Sequence, residues 1–104
     1  MTRDAGLLAG ITVVDLTRLL PGPLATKHLA EMGATVLKIE GPASDGQDDG
    51  TRHMYLTRAD REAGRASLAF RALNDGKQLR EIDLRGEAGR AEVLELVRTA
   101  DLLV

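Results

Sequence analysis

Apolar positions along the chain change their period several times. Residues 11–15 (Ile-Thr-Val-Val-Asp) are a β-branched run that starts after Gly10 and stops at a carboxylate, the pattern of a short buried strand. Pro21-Gly22-Pro23 punctuates the chain next, and from Leu24 the apolar residues Leu24, Ala25, Leu29, Ala30 and Met32 recur at helical spacing until Gly33. Residues 35–39 (Thr-Val-Leu-Lys-Ile) predict a second strand. Strand, helix and strand joined through a tight Gly33 turn predict a parallel βαβ crossover.

From 41 to 66 Gly, Pro, Ser, Asp, Gln and Arg dominate and only Met54, Tyr55 and Leu56 cluster as apolar residues, which predicts a long polar loop. Its charge is split, Asp45, Asp48 and Asp49 preceding Arg52, Arg58, Arg61 and Arg65. Residues 67–73 predict a short helix ending at an Asn74-Asp75-Gly76 turn, and 79–84 a polar strand. Over 86–100 a stripe of Ala91, Val93, Leu94, Leu96 and Val97 opposes Glu87, Glu92 and Glu95, the pattern of an amphipathic helix. Residues 101–104 (Asp-Leu-Leu-Val) open a further strand. The fold class is therefore α/β with a parallel sheet and flanking helices.

Composition narrows the function. The 104 residues suit one small domain and leave little material for a second. Against 17 leucines stand two aromatic residues, Tyr55 and Phe70, too few for a base-stacking platform. Fourteen basic and 16 acidic residues give a formal charge of -2, without the basic excess that attracts nucleic acid or anionic membrane. The absence of cysteine removes disulfides, thiolate metal sites and thiol nucleophiles and fits a cytoplasmic setting. The apolar patch within residues 5–14 is too short and too interrupted for a membrane span, and no targeting segment is expected.

Known chemical motifs are mostly excluded. Neither G-x-G-x-x-G nor a P-loop occurs. Residues 45–50 resemble the start of a calcium loop, but the position that needs a bidentate Glu is Leu56. His28 and His53 have no zinc-ligand spacing, and His28 reads as a solvated helix residue. Ser44 and Ser67 lack a nucleophile elbow. No metal site is expected.

Three blocks nevertheless carry a specific resemblance. Residues 10–18 (Gly-Ile-Thr-Val-Val-Asp-Leu-Thr-Arg), 21–26 (Pro-Gly-Pro-Leu-Ala-Thr) and 33–40 (Gly-Ala-Thr-Val-Leu-Lys-Ile-Glu) resemble, in order and spacing, the opening of the family III CoA-transferases, the CaiB/BaiF group. Residues 73–77, 82–85, 89–90 and 100–104 resemble later family segments. In place of the family's Asn-Arg-Gly-Lys-Arg-Ser the chain has Asn74-Asp75-Gly76-Lys77-Gln78-Leu79, exchanging two basic positions for Asp75 and Gln78.

The resemblance implies an incomplete, N-terminal part of a Rossmann-like large domain. It implies an enzyme that moves coenzyme A between carboxylic acids through an aspartyl-CoA intermediate, with the nucleophile downstream of this chain and no catalytic residue in it. Acyl-CoA racemase relatives, or a non-catalytic truncated CoA-binding or interaction protein, are the alternatives. The implied partners are a CoA thioester, a small carboxylic acid and, for full-length members, a second copy. Asp15, Asp83 and Asp101 match non-catalytic positions and read as caps or local ion pairs. For cofactor contact the resemblance nominates Leu19, Leu20 and Pro21 at the acyl and pantetheine side, or else as a turn packed on the first helix. It nominates Ile82, Asp83, Leu84 and Arg85 at the nucleotide, with Arg85 either a ligand or a solvated arginine. Arg52 and Lys77 are phosphate contacts or solvated charges on the same reading.

Overall fold

The computed structural model describes residues 6–104; the part of the targeting-segment expectation that concerns residues 1–5 lies outside them. Four parallel strands, β1 (Thr12–Asp15), β2 (Thr35–Glu40), β3 (Gln78–Glu81) and β4 (Leu102–Leu103), form one sheet in the order β3-β2-β1-β4. Helix α1 (Pro21–Glu31) links β1 to β2. Helices α2 (Arg58–Ala63) and α3 (Leu68–Asn74) precede β3, and α4 (Glu87–Arg98) crosses from β3 to β4.

Strand alternation sends side chains to two helical layers. Val14, Ile39 and Ile82 pack with Val93 of α4, with Leu84, Leu96 and Val97 around them. On the other face Val13, Val36 and Ala34 meet Leu29 and Ala30 of α1. Both faces of the inner strands are thus covered, as a parallel sheet requires. β3, at the edge, is exposed along its whole length, which accounts for its polar sequence.

The expected elements are present, with two informative departures. The helical stripe expected on α1 is rotated: Pro23 and Thr26 are buried while Leu24 and Met32 are over a third exposed. The Thr26 hydroxyl donates to Asp15 at 2.6 Å, so a polar contact and not the leucine periodicity sets the inward face. The expected loop over 41–66 contains two 3-10 turns, Ala43–Asp45 and Gly50–His53, and helix α2. α2 is built by a capping box: Thr57 accepts from the Asp60 N–H at 3.0 Å, and Asp60 accepts from the Thr57 N–H at 3.2 Å. Gly64, at φ 66°, closes it.

Gly89 lies inside α4, where a glycine normally costs stability. Here a Cβ would meet the Asp83 carbonyl oxygen at 1.8 Å, so only glycine lets α4 sit over the end of β3. Gly89→Ala is therefore expected to destabilise by about 1–3 kcal/mol through overpacking, opposite in sign to an ordinary helical Gly→Ala change. Urea unfolding measures it, and a midpoint at or above the parent's contradicts the close packing.

Candidate functional site

Strand order reverses at β1: the chain runs outward through β2 and β3 and then returns to place β4 on the other side of β1. Loops leaving β1 and β4 diverge at such a point, and open parallel sheets bind ligands in the crevice outside those carboxyl ends. The β1–α1 loop, residues 16–20, lies there, its Leu16 N–H donating to the Val104 carbonyl at 2.9 Å.

Around this edge the charges are paired and largely buried. Asp15, at the end of β1, has no exposed surface. One of its oxygens accepts from the Thr17 N–H (2.8 Å) and hydroxyl (2.5 Å), the other from Thr26 and from the Lys77 ammonium (3.3 Å). Lys77 also donates to the Pro23 carbonyl (2.9 Å) and the Asn74 side-chain oxygen (2.8 Å). Burial lowers its pKa against the opposing pull of Asp15.

One strand over, Lys38 is equally buried and donates to Asp49 Oδ2 at 2.5 Å. Asp49 Oδ1 accepts from the Leu19 N–H (3.0 Å), the Thr51 N–H (3.0 Å) and the Thr51 hydroxyl (2.7 Å). Burial pushes the Asp49 carboxyl up, but the donors from Lys38, Thr51 and Leu19 outweigh it and hold the group below the usual carboxylate value. Glu40 accepts both the Asp49 N–H at 2.7 Å and a two-pronged Arg52 guanidinium at 2.8 and 2.6 Å. Arg52 stacks on Phe70, 3.9 Å from the ring centre, and its pKa is raised, chiefly by the Glu40 hydrogen bond. Ser67 completes the seam: its hydroxyl donates to the Thr51 carbonyl and accepts from the Phe70 N–H, capping α3.

The nominated residues accordingly occupy different environments. Leu19 and Leu20 are over half exposed, and Leu19 adopts a left-handed conformation at φ 72°. That conformation costs a non-glycine residue about 1–2 kcal/mol. Pro21 starts α1. Arg52 and Lys77 are neither free nor simply solvated, since each donates to internal partners. Ile82 lies in the core, and Leu84 packs at its margin. Asp83 is exposed and accepts from the Arg85 N–H at 2.9 Å. Arg85 is exposed and reaches Asp45 at 2.9 Å; with its amide oriented to fit, the Gln47 oxygen also accepts from Arg85. Segment 43–49 therefore touches both groups of nominees, Arg85 at one end and Leu19 at the other. Asp101 accepts from the Thr12 N–H at 2.8 Å, tying β4 to β1.

Sequence reasoning did not single out Lys38 or Glu40, and it weighed Asp49 only in the acidic run and the rejected calcium loop. An ammonium in the middle of an apolar strand was the available signal, because a buried lysine requires an acidic partner. It also passed over a cavity of about 440 Å³ beside β3, lined among others by Glu40, Arg52, His53, Arg65 and Glu81, with His53 held 2.8 Å from Asp48. Of the nominees only Arg52 borders this cavity, and Lys77 borders a second one, of about 660 Å³, between α1 and α3.

Comparison with known proteins agrees with this architecture. Residues 8–104 match the sequence profile of CoA-transferase family III. The chain is 40% identical over 101 residues to the acetyl-CoA:oxalate CoA-transferase of Acetobacter aceti, covering 97% of this chain and 24% of that protein. It is 43% identical over 100 residues to the succinate–glutarate CoA-transferase of Agrobacterium fabrum, covering 93% and 24% respectively. A crystal structure of a CaiB/BaiF family protein from Brucella suis superposes with a TM-score of 0.81 at 37% identity, over 94% of this chain and 25% of that one. The chain thus spans about a quarter of the length of these relatives.

Two outcomes follow from the pairing. Arg52→Lys loses the two-pronged contact with Glu40 and the flat stacking on Phe70, and is expected to cost about 1.5–3 kcal/mol in unfolding free energy by urea titration. Asp60 is held to about 2, first by its hydrogen bond from Arg65 and then by the Thr57 N–H. A carboxylate with a depressed native pKa stabilises the fold above its unfolded pKa, and that contribution disappears as pH falls from about 4 through about 2. Asp60→Asn should flatten the fall in stability across that window, and an unchanged pH profile contradicts the pairing.

Proposed function

Because the chain belongs to CoA-transferase family III, we propose that it forms the N-terminal part of the large domain of an enzyme that moves coenzyme A between carboxylic acids. The match over residues 8–104 carries this reading. The catalytic route proposed is attack by an aspartate on the acyl-CoA carbonyl, which expels the CoA thiolate and leaves a mixed anhydride; the thiolate then attacks the aspartyl carbonyl, releasing the donor acid as its carboxylate and leaving an aspartyl-CoA thioester, with that aspartate outside these 104 residues. Asp15 and Asp49 are unsuited to the task, since neither is exposed and both oxygens of each are occupied by donors. The chain's own share is to hold part of a CoA thioester, in a cytoplasmic enzyme that works as a homodimer.

Magnitudes decide which cation can meet phosphate. Lys77 would have to abandon a fully buried carboxylate, and breaking such a pair costs about 3–5 kcal/mol. Arg85 and Asp45 are well exposed, and an exposed pair is worth about 0–1 kcal/mol, so Arg85 can exchange Asp45 for a phosphate oxygen. Leu19 and Leu20 offer apolar surface to the uncharged pantetheine arm at the strand-order reversal.

Calorimetric titration of CoA tests the reading. Arg85→Ala is expected to weaken binding about tenfold, and Asp45→Ala, which frees Arg85, to tighten it about threefold. Absence of CoA binding by the parent protein refutes the reading. Unchanged affinity in both variants refutes the role of Arg85.

A further inference from the structure

We propose that Asp49 is a positioning residue for the acyl-pantetheine end of the substrate, acting through Leu19; this rests on the CoA reading above. Leu19 is a leucine in the left-handed region, at φ 72°, in a position that glycine would occupy without strain. The residue is 51% exposed, so core burial does not offset that strain. What the conformation does have is a partner: the Leu19 N–H donates to Asp49 Oδ1 across 30 positions of sequence. Asp49 is itself fixed, with no exposed surface, its other oxygen on the buried Lys38 ammonium and its own N–H on Glu40. A strained, exposed residue held by a rigid buried carboxylate at the reversal of strand order is strain kept for placement. The loop so held presents two consecutive exposed leucines, Leu19 and Leu20, to an uncharged and partly apolar arm.

The assignment separates the two ends of the ligand. Acetyl-CoA reaches the β1–α1 loop, whereas adenosine 3',5'-bisphosphate carries the nucleotide end alone. Leu19→Gly relieves the strain and is expected to raise the melting temperature while weakening acetyl-CoA binding about tenfold, with bisphosphate affinity kept within about twofold. Asp49→Ala alone strands the Lys38 charge in the interior, so it is combined with Lys38→Met, which leaves the site neutral and filled. This pair is expected to weaken acetyl-CoA binding to a similar degree and to spare the bisphosphate.

Overturning results are equally definite. A higher melting temperature for Leu19→Gly with unchanged acetyl-CoA affinity makes the contact purely structural, as do parallel losses for both ligands. If the double variant does not fold, Leu19→Gly still decides. Failure of the parent protein to bind either ligand overturns the CoA reading and this assignment with it, whereas parent binding that the variants leave untouched overturns this assignment alone.

Discussion

A lysine in the interior of a parallel strand can keep its charge only if another part of the chain brings a carboxylate to it. Lys38 is such a residue, and Asp49 answers it from the loop after β2. That single requirement fixes the polar segment. With Asp49 in place, Thr51 and Leu19 turn their N–H groups onto its second oxygen, and Glu40 takes the Asp49 N–H. Glu40 then fixes Arg52, Arg52 lies against Phe70, and Ser67 joins the Thr51 carbonyl to the start of α3. One buried ion pair thus orders a path from the sheet through the loop to the helix covering it. Among the described residues no buried side-chain nitrogen or oxygen lacks a partner, the condition under which such a network is tolerable.

The energetic meaning of this network is specificity more than net stability. A buried pair replaced by well-packed apolar residues is often neutral or better, whereas removal of one partner is costly. An apolar residue at position 38 would stabilise the strand equally well but would not direct the 41–53 segment to one place. Asp15 and Lys77 act in the same way on the other side, drawing β1, α1 and the turn before β3 together. Exposed pairs such as Glu95 with Arg98 and His28 with Glu31 have no comparable role.

Much of this architecture was legible in sequence because it depends on local pattern. The β-branched run 11–15, the Gly33 turn and the amphipathic stretch 86–100 each announce their element, and the three spaced blocks identify the family. The polar segment was illegible for a physical reason: its order comes from long-range charge pairs that carry no period. Arg52 and Lys77 were legible as cations but not as satisfied ones, since their partners Glu40 and Asp15 lie 12 and 62 positions away. Helix α2 was legible in principle through Thr57 and Asp60, a capping signal obscured by the charge around it. The inward turn of Thr26 was hidden because periodicity weighs apolar residues and disregards a hydroxyl aimed at a buried carboxylate.

The segment after β2 is divided between two regimes, and the division bears on how a ligand could be recognised. Its Asp49 end is anchored in the interior, and releasing it means breaking the buried Lys38 pair, at a cost of about 3–5 kcal/mol. Its Asp45 end is exposed, followed by Gly46 in a left-handed conformation with open space where a side chain would stand. Opening there breaks exposed contacts with Arg85 and local turn hydrogen bonds but no buried ion pair. On the proposed reading, a phosphate therefore displaces Asp45 from Arg85 while the Leu19 turn keeps its geometry. On the proposed CoA reading, recognition of charge and placement of an uncharged arm fall to one short segment, and they are energetically separable because only one end of it is tied to a buried charge.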